Sequence, residues 1–309
     1  MCARISNVHE RIPVILDTDI GTDIDDTWAL ALMLRSPELD VKLVVTDTGD
    51  TAYRARIVAK MLELDGRTDV PVGIGIPLER APSLQAPWVA GYELSRYPGQ
   101  IHEDGVGALI DAIMESPEPV TLICIGPVPN VAAALAREPG IARRARFVGM
   151  HGSIRRGYDG SRDVSAEYNV RAYPRACQRV FAAGWDVTIT PLDTCGLVRL
   201  VGEKYRAVCD CDDALVQAVI ENYRIWAENC EWTQGLDVET GSSVLFDTVA
   251  VYLAFSEELL QMERLGIRVT DEGYTVVEAG AKEINCALDW KDLPAFEDLL
   301  VRRLTGTQV

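Results

Sequence analysis

Residues Ile15 to Trp28 read ILDTDIGTDIDDTW, and five aspartates (Asp17, Asp19, Asp23, Asp25, Asp26) fall within ten residues of that stretch. Before it stands Pro13 to Leu16 (PVIL), a short strand-like apolar run; after it stands Thr27 to Leu34 (TWALALML), apolar all round and suited to a buried helix. Both flanks have to be covered, so the acid-rich stretch is a rigid junction between a buried strand and a buried helix. Like charges this dense repel and raise each other's pKa. The helix N-terminus behind them offsets under ~1 kcal/mol per charge. A bound hard cation offsets far more, and carboxylate oxygens suit Ca²⁺ or Mg²⁺. The spacing is not that of an EF-hand. Counting from Asp17, Thr22 stands where glycine is needed and Trp28 where the bidentate glutamate is needed.

The strand-to-helix step recurs along the chain. Strands are expected at 41–45, 72–76, 120–125, 146–150 and 187–190, with helices at 52–64, 106–114, 130–137 and 174–183. This alternation predicts an α/β fold, an open and mostly parallel sheet with helices on both faces. A long Pro- and Gly-rich loop is expected at 77–105 and a Gly- and Arg-rich loop at 152–163. Beyond Gly196 the pattern changes to helices at 213–231 and 244–255, a hairpin at 267–288 turning near Asp271–Gly273, and a closing helix at 293–304. No linker or repeat divides the chain, so residues 1–309 read as a single domain with a helical and hairpin C-terminal portion.

The balance of 30 Lys and Arg against 47 Asp and Glu gives a net charge of −17. That argues against binding to nucleic acid or to an anionic membrane surface. No apolar run approaches the ~20 residues that cross a bilayer. The opening MCARISNVHERIP has no apolar signal core, so a cytoplasmic location is expected. Eight scattered cysteines include Cys2 and one CxC pair, Cys209 and Cys211, without the second pair a zinc knuckle needs. Reduced, mostly buried thiols are expected.

Three further features bear on chemistry. Asp247, in SSVLFDTVAVYL, stands near the start of an apolar helical pattern. The strand end Ile123 to Pro127 lies at the same sheet edge as the aspartates if the strands are parallel, and its carbonyls could serve a calcium shell. Glu167 and Asn169, in AEYN, offer acceptors and donors for a polyhydroxylated ligand. No GxSxG elbow, no GxxxxGK[ST] loop and no full dinucleotide fingerprint is present; Gly73-x-Gly75 is too short, and His151-Gly-Ser153 has no identifiable acid partner.

Together, Asp17-Thr-Asp19-Ile-Gly21 with Asp25-Asp26, Ile125-Gly126, Glu167-Tyr168-Asn169, Asp247 before an apolar helix and the terminal Leu288-Asp289-Trp290 resemble the inosine–uridine-type nucleoside N-ribohydrolases. The resemblance runs from about Ile12 to Leu304. It implies an open α/β sheet, one Ca²⁺ held by Asp19, Asp26, Asp247 and the carbonyl of Ile125, and Asp19 as general base on a metal-bound water. It implies Asp25 and Asn169 on the ribose hydroxyls, Glu167 at the 5′ end, Asp17 in support of the loop, a small-molecule nucleoside substrate, and a homodimer or homotetramer. The chemistry is coherent. An oxocarbenium-like ribose is favoured by surrounding carboxylates, and a hard ion both orients water and grips a diol.

Three departures stand out. Two additional residues separate Gly21 from Asp25-Asp26, which leaves open which of Asp23, Asp25 and Asp26 binds metal. Phe246 stands where many members carry a histidine that helps the base leave; His102, or stacking on Trp226 or Trp232, is a candidate substitute. Asp50, in TGD, stands where many members carry asparagine, and a polar residue near Ser161 replaces an amide that contacts sugar. Two other readings remain: a non-catalytic nucleoside- or ribose-binding relative, and a Mg²⁺-dependent haloacid-dehalogenase-type phosphatase, which also opens with a strand and Asp-x-Asp.

Overall fold

The computed structural model describes residues 11–78, 81–233 and 236–306; Cys2 lies outside them. The first strand, β1 (Ile12–Thr18), alternates its apolar side chains between two cores. Val14 and Leu16 join one buried cluster and Ile15 the other. A strand whose two faces are both apolar has to lie inside a sheet covered on both sides. The chain continues through α1 (Asp25–Leu34), β2 (Leu39–Thr46), α2 (Thr51–Leu64), β3 (Val72–Ile74), β4 (Ile101–His102) and α3 (Gly105–Glu115). Then come β5 (Val120–Cys124), α4 (Pro129–Arg137), β6 (Ala145–Met150), α5 (Tyr168–Ala172), α6 (Pro174–Ala182) and β7 (Val187–Thr190). The last third holds α7 (Leu192–Cys195), α8 (Gly202–Cys209), α9 (Ala214–Asn229), α10 (Thr248–Leu253), β8 (Leu260–Val269), β9 (Thr275–Val277), β10 (Glu283–Trp290) and α11 (Leu293–Thr305).

Among the described residues the strands form one ten-stranded sheet in the order β4-β3-β2-β1-β5-β6-β7-β10-β8-β9. From β4 to β10 the neighbours are parallel; β8 runs antiparallel to β10, and β9 antiparallel to β8. Helices α3, α4 and α6 pack over one face and α1, α9, α10 and α11 over the other. This is the α/β sheet that the alternation predicts.

Three expectations need correction. The hairpin expected at 267–288 is part of a three-stranded arrangement. Its turn does fall at 270–274, where Thr270 N–H donates to Tyr274 O at 2.8 Å. However, β8 begins at Leu260, and β10 inserts between β7 and β8 because its Ile284, Cys286, Ala287 and Leu288 are buried against the sheet core. The helix expected at 244–255 is confined to α10. Residues before it are extended, held by Ser242 N–H to Leu200 O at 2.9 Å and Leu245 N–H to Val198 O at 2.9 Å. The 77–105 stretch is not structureless: it carries two short 3₁₀ turns, buried Trp88 and Tyr97, and the strand β4. Helices α5, α7 and α8, each of eight residues or fewer, were not anticipated.

Candidate active site

The direction in which strands are added reverses at β1: β2, β3 and β4 lie to one side, β5, β6 and β7 to the other. Open parallel sheets leave a crevice beyond the carboxyl ends of the strands at such a switch. Asp17 pairs with Cys124 across it, and Ile125 N–H donates to Asp17 O at 3.0 Å. The approach continues one residue further. A Cβ on Gly126 would stand 2.8 Å from Asp19 Oδ1, so only glycine lets the two chain segments come this close.

The acidic junction is anchored by buried donors from elsewhere. Arg54, on α2 and 1% exposed, donates to the carbonyls of Asp19, Ile20 (2.7 Å) and Thr48 (2.9 Å) and to Thr22 Oγ1 (2.9 Å). Its charge offsets those of Asp19, Asp26 and Asp47. Gly21 has φ +107°, and a side chain there would collide with Tyr53, whose hydroxyl donates to the Gly21 carbonyl at 3.1 Å. Trp226, on α9, donates its indole N–H to Thr22 O at 3.1 Å.

Asp25 and Asp26 open α1, and Asp247 immediately precedes α10. These helices pack together. One carboxylate oxygen from each of the three buried residues lies within 4.8 Å of the others. Thr18 donates its hydroxyl to Asp26. Burial first, and the neighbouring carboxylates second, hold Asp25, Asp26 and Asp247 well above the usual carboxylate range. Burial also raises Asp19, opposed by the Arg54 charge. Asp17 is pushed up to about 6 by burial, opposed by hydrogen bonds that include Asn130 Nδ2 at 2.8 Å. A tight set of hard oxygen donors that cannot all ionise without a counter-charge is the chemistry of a divalent-cation site, and the cluster could hold a metal.

Glu167 caps α5, its carboxylate accepting from Gly152 N–H (2.9 Å), Asn169 N–H (2.6 Å) and Val170 N–H (3.3 Å). Burial pushes it up to about 7 against those donors. The Asn169 amide N–H₂ donates to the carbonyls of Ile125 and Met150, each at 3.0 Å.

These residues surround one cavity of about 460 Å³. It brings together Asp19, Asp25, Asp26, Ile125, Glu167, Asn169, Trp232, Phe246 and Asp247, all anticipated from the sequence. The tight carboxylate triad is Asp25, Asp26 and Asp247; Asp19 borders the same cavity outside that triad. Three anticipated residues are elsewhere. Asp50 is exposed and caps α2, accepting from Tyr53 N–H at 2.9 Å. His102 belongs to β4, paired with Gly73 near the sheet edge. Neither lines the cavity. Trp226 is in the core, stacked on Tyr223.

Sequence reasoning missed Arg54, Asp47, Tyr158 and Arg171, and quoted Tyr168 only as part of a motif. Arg54 had a signal, since it lies on the same helical face as Ile57, Val58 and Met61. Asp47, buried beside Asp17 and held well above the usual range by burial first, had none.

Residues 14–297 match the family model described as inosine-uridine preferring nucleoside hydrolase, and the chain belongs to that family. The non-specific ribonucleoside hydrolase RihC of Escherichia fergusonii is 34% identical over 194 residues, which cover 59% of this chain and 62% of that protein. RihC of Escherichia coli O1:K1 / APEC is 36% identical over the same length. The chain thus spans 62% of the length of these curated relatives. The fold matches a purine-preferring ribonucleoside hydrolase from Gardnerella vaginalis, with TM-score 0.79 and 22% identity over 95% of this chain and 98% of that one. It also matches an inosine-uridine preferring nucleoside hydrolase from Bacillus anthracis, with TM-score 0.75 and 18% identity over 96% and 100%. Neither the phosphatase nor the non-catalytic reading is favoured by these matches. No helix among the described residues is long and apolar enough to cross a membrane.

Proposed function

We propose that this chain hydrolyses the N-glycosidic bond of a ribonucleoside, giving ribose and free base, with Ca²⁺ as its cofactor. The observation that carries the reading is the convergence of Asp25, Asp26 and Asp247 within 4.8 Å at the switch point of the sheet, in a chain of this family. A bound Ca²⁺ supplies Lewis acidity to a water and to the ribose diol. Asp26, Asp247, Asp19 and the carbonyl of Ile125 are the proposed ligands, and Asp25 is so close to the first two that it either joins them or takes a ribose hydroxyl. Asp19 receives the proton of the attacking water, and burial keeps its carboxylate basic while Arg54 keeps it ionisable. Asn169, its N–H₂ held by two carbonyls, presents its oxygen to a sugar hydroxyl. Glu167 fixes the 5′ end. The surrounding carboxylates favour the cationic sugar of the transition state. The whole chain acts as one unit, in the cytoplasm, as a homodimer or homotetramer.

Release of reducing sugar from inosine, uridine, adenosine and cytidine, measured with and without chelator, tests this. The expected result is turnover with Ca²⁺, its loss on chelation, and a fall of at least about 10³-fold in kcat for Asp19→Ala, the scale for a general base. Full activity in Asp19→Ala removes the role given to it. Tight nucleoside binding with no turnover over hours favours the binding-protein reading, and phosphate release from phosphomonoesters favours the phosphatase.

A further inference from the structure

Breaking a C1′–N bond leaves opposite charges at its two ends. The sugar becomes cationic, and the electron pair stays with the base nitrogen, which becomes anionic. The cavity answers the first charge with carboxylates. Phe246 offers no proton for the second. The rest of the lining is largely aromatic, with Tyr158, Tyr168, Phe246 and Trp232. Among the described residues that line the cavity, Arg171 is the one cation.

Arg171 is on α5, four residues beyond Glu167, whose carbonyl accepts its N–H at 2.8 Å. Its backbone is braced by the β8–β9 turn: Gly273 packs so closely that a Cβ there would lie 2.4 Å from Arg171 Cα. The guanidinium enters no ion pair or side-chain hydrogen bond among the described residues. Its charge reaches Tyr158. The Tyr158 hydroxyl accepts from Tyr168 N–H at 3.0 Å, and its ring stands edge-on to Phe246 at 6.2 Å. A residue with a braced backbone and an uncommitted guanidinium therefore lines a cavity that is aromatic in one part and acidic in the other.

We propose that Arg171 is a catalytic residue for the departing base: its guanidinium donates a hydrogen bond to the base and balances the negative charge that develops there. This rests on the hydrolase reading given above. As C1′–N breaks, the pair passes to the base nitrogen. The water oxygen bonds to C1′ and its proton passes to Asp19. Afterwards Asp19 returns that proton to solvent and the base anion takes one from solvent, so water and nucleoside give ribose and neutral base. A guanidinium stays protonated throughout the physiological range, so it serves as fixed charge and donor and not as proton source.

The test compares leaving groups. Arg171→Met and Arg171→Lys are assayed on inosine and uridine, whose bases leave poorly, and on 4-nitrophenyl β-D-ribofuranoside, whose nitrophenolate leaves without help. Arg171 is exposed, so both variants are expected to fold, which a thermal melt verifies. Loss of one charge-stabilising donor predicts a fall of about 10²-fold in kcat/KM on the nucleosides, under about threefold on the nitrophenyl riboside, and partial recovery in Arg171→Lys. Equal loss on all glycosides, or no loss on any, overturns the assignment while leaving the hydrolase reading intact. Inactivity of the unsubstituted protein on every glycoside removes both.

Discussion

Arg54 is the residue on which the acidic loop depends. Its guanidinium ties together the backbone of Asp19, Ile20 and Thr48 and stands among carboxylates that are almost fully buried. Removing one partner of a buried charge network leaves the others uncompensated, which costs about 3–5 kcal/mol. Arg54→Met is accordingly expected to lower the free energy of unfolding by that amount in a urea titration, and saturating Ca²⁺ is expected to restore part of it. A loss under about 1 kcal/mol would mean that the acids manage without the cation. The sequence placed the acids but not this partner, because a charge on an otherwise apolar helical face carries no sign of what it meets.

At the scale of elements, the site is a meeting of ends. The carboxyl ends of β1 and β5 and the first turns of α1 and α10 converge, and α9 reaches in through Trp226. Trp226→Phe keeps the stacking on Tyr223 but leaves the Thr22 carbonyl without its indole donor. An unpaired buried carbonyl costs about 1–3 kcal/mol. The expected outcome is a modest drop in melting temperature together with a larger rise in KM for nucleoside, since Thr22 borders the cavity. Unchanged KM would show that the loop holds its shape without this tether. Most strands and helices of the first two thirds were legible because each buries an apolar face; the short β4, α5 and α7 carry too few residues to show one. The C-terminal third was less so. Val244 and Leu245 continue the apolar pattern of the helix expected at 244–255, yet the 242–245 segment is extended and its hydrogen bonds go to Val198 and Leu200. The strand β10 reads as half of a hairpin, yet it pairs with β7 as well.

Across the whole molecule, the site's buried acids couple proton binding to stability, and the proposed metal would enter the same balance. Asp17 stands at about 6 and Glu167 at about 7, against 3.8 and 4.5 for the free groups, with burial the largest cause in each. The folded protein therefore holds protons that the unfolded chain has released between about pH 4 and pH 7. The stability these groups give is complete below the lower values and is lost as pH rises through the upper ones. Metal-free protein is expected to melt at a lower temperature at about pH 8 than at about pH 5.5, with Ca²⁺ stabilising most at the higher pH and displacing protons as it binds. Differential scanning fluorimetry and calorimetry in buffers of different ionisation enthalpy check this, and a melting temperature that rises with pH in the chelated protein would contradict it. The sequence by itself determined the layered α/β architecture and the acidic junction after the first strand, because hydrophobic period and charge density are local properties of the chain; the other cavity residues it indicated came through short motifs that resemble a known family. Only the tertiary structure decided that Asp25, Asp26 and Asp247 form the tight triad, that Arg54 and Asp47 lie buried beneath them, that Asp50 and His102 stand apart, and that Arg171 reaches the cavity. Those facts depend on segments far apart in sequence meeting at the point where the sheet changes direction, and no local pattern encodes that meeting.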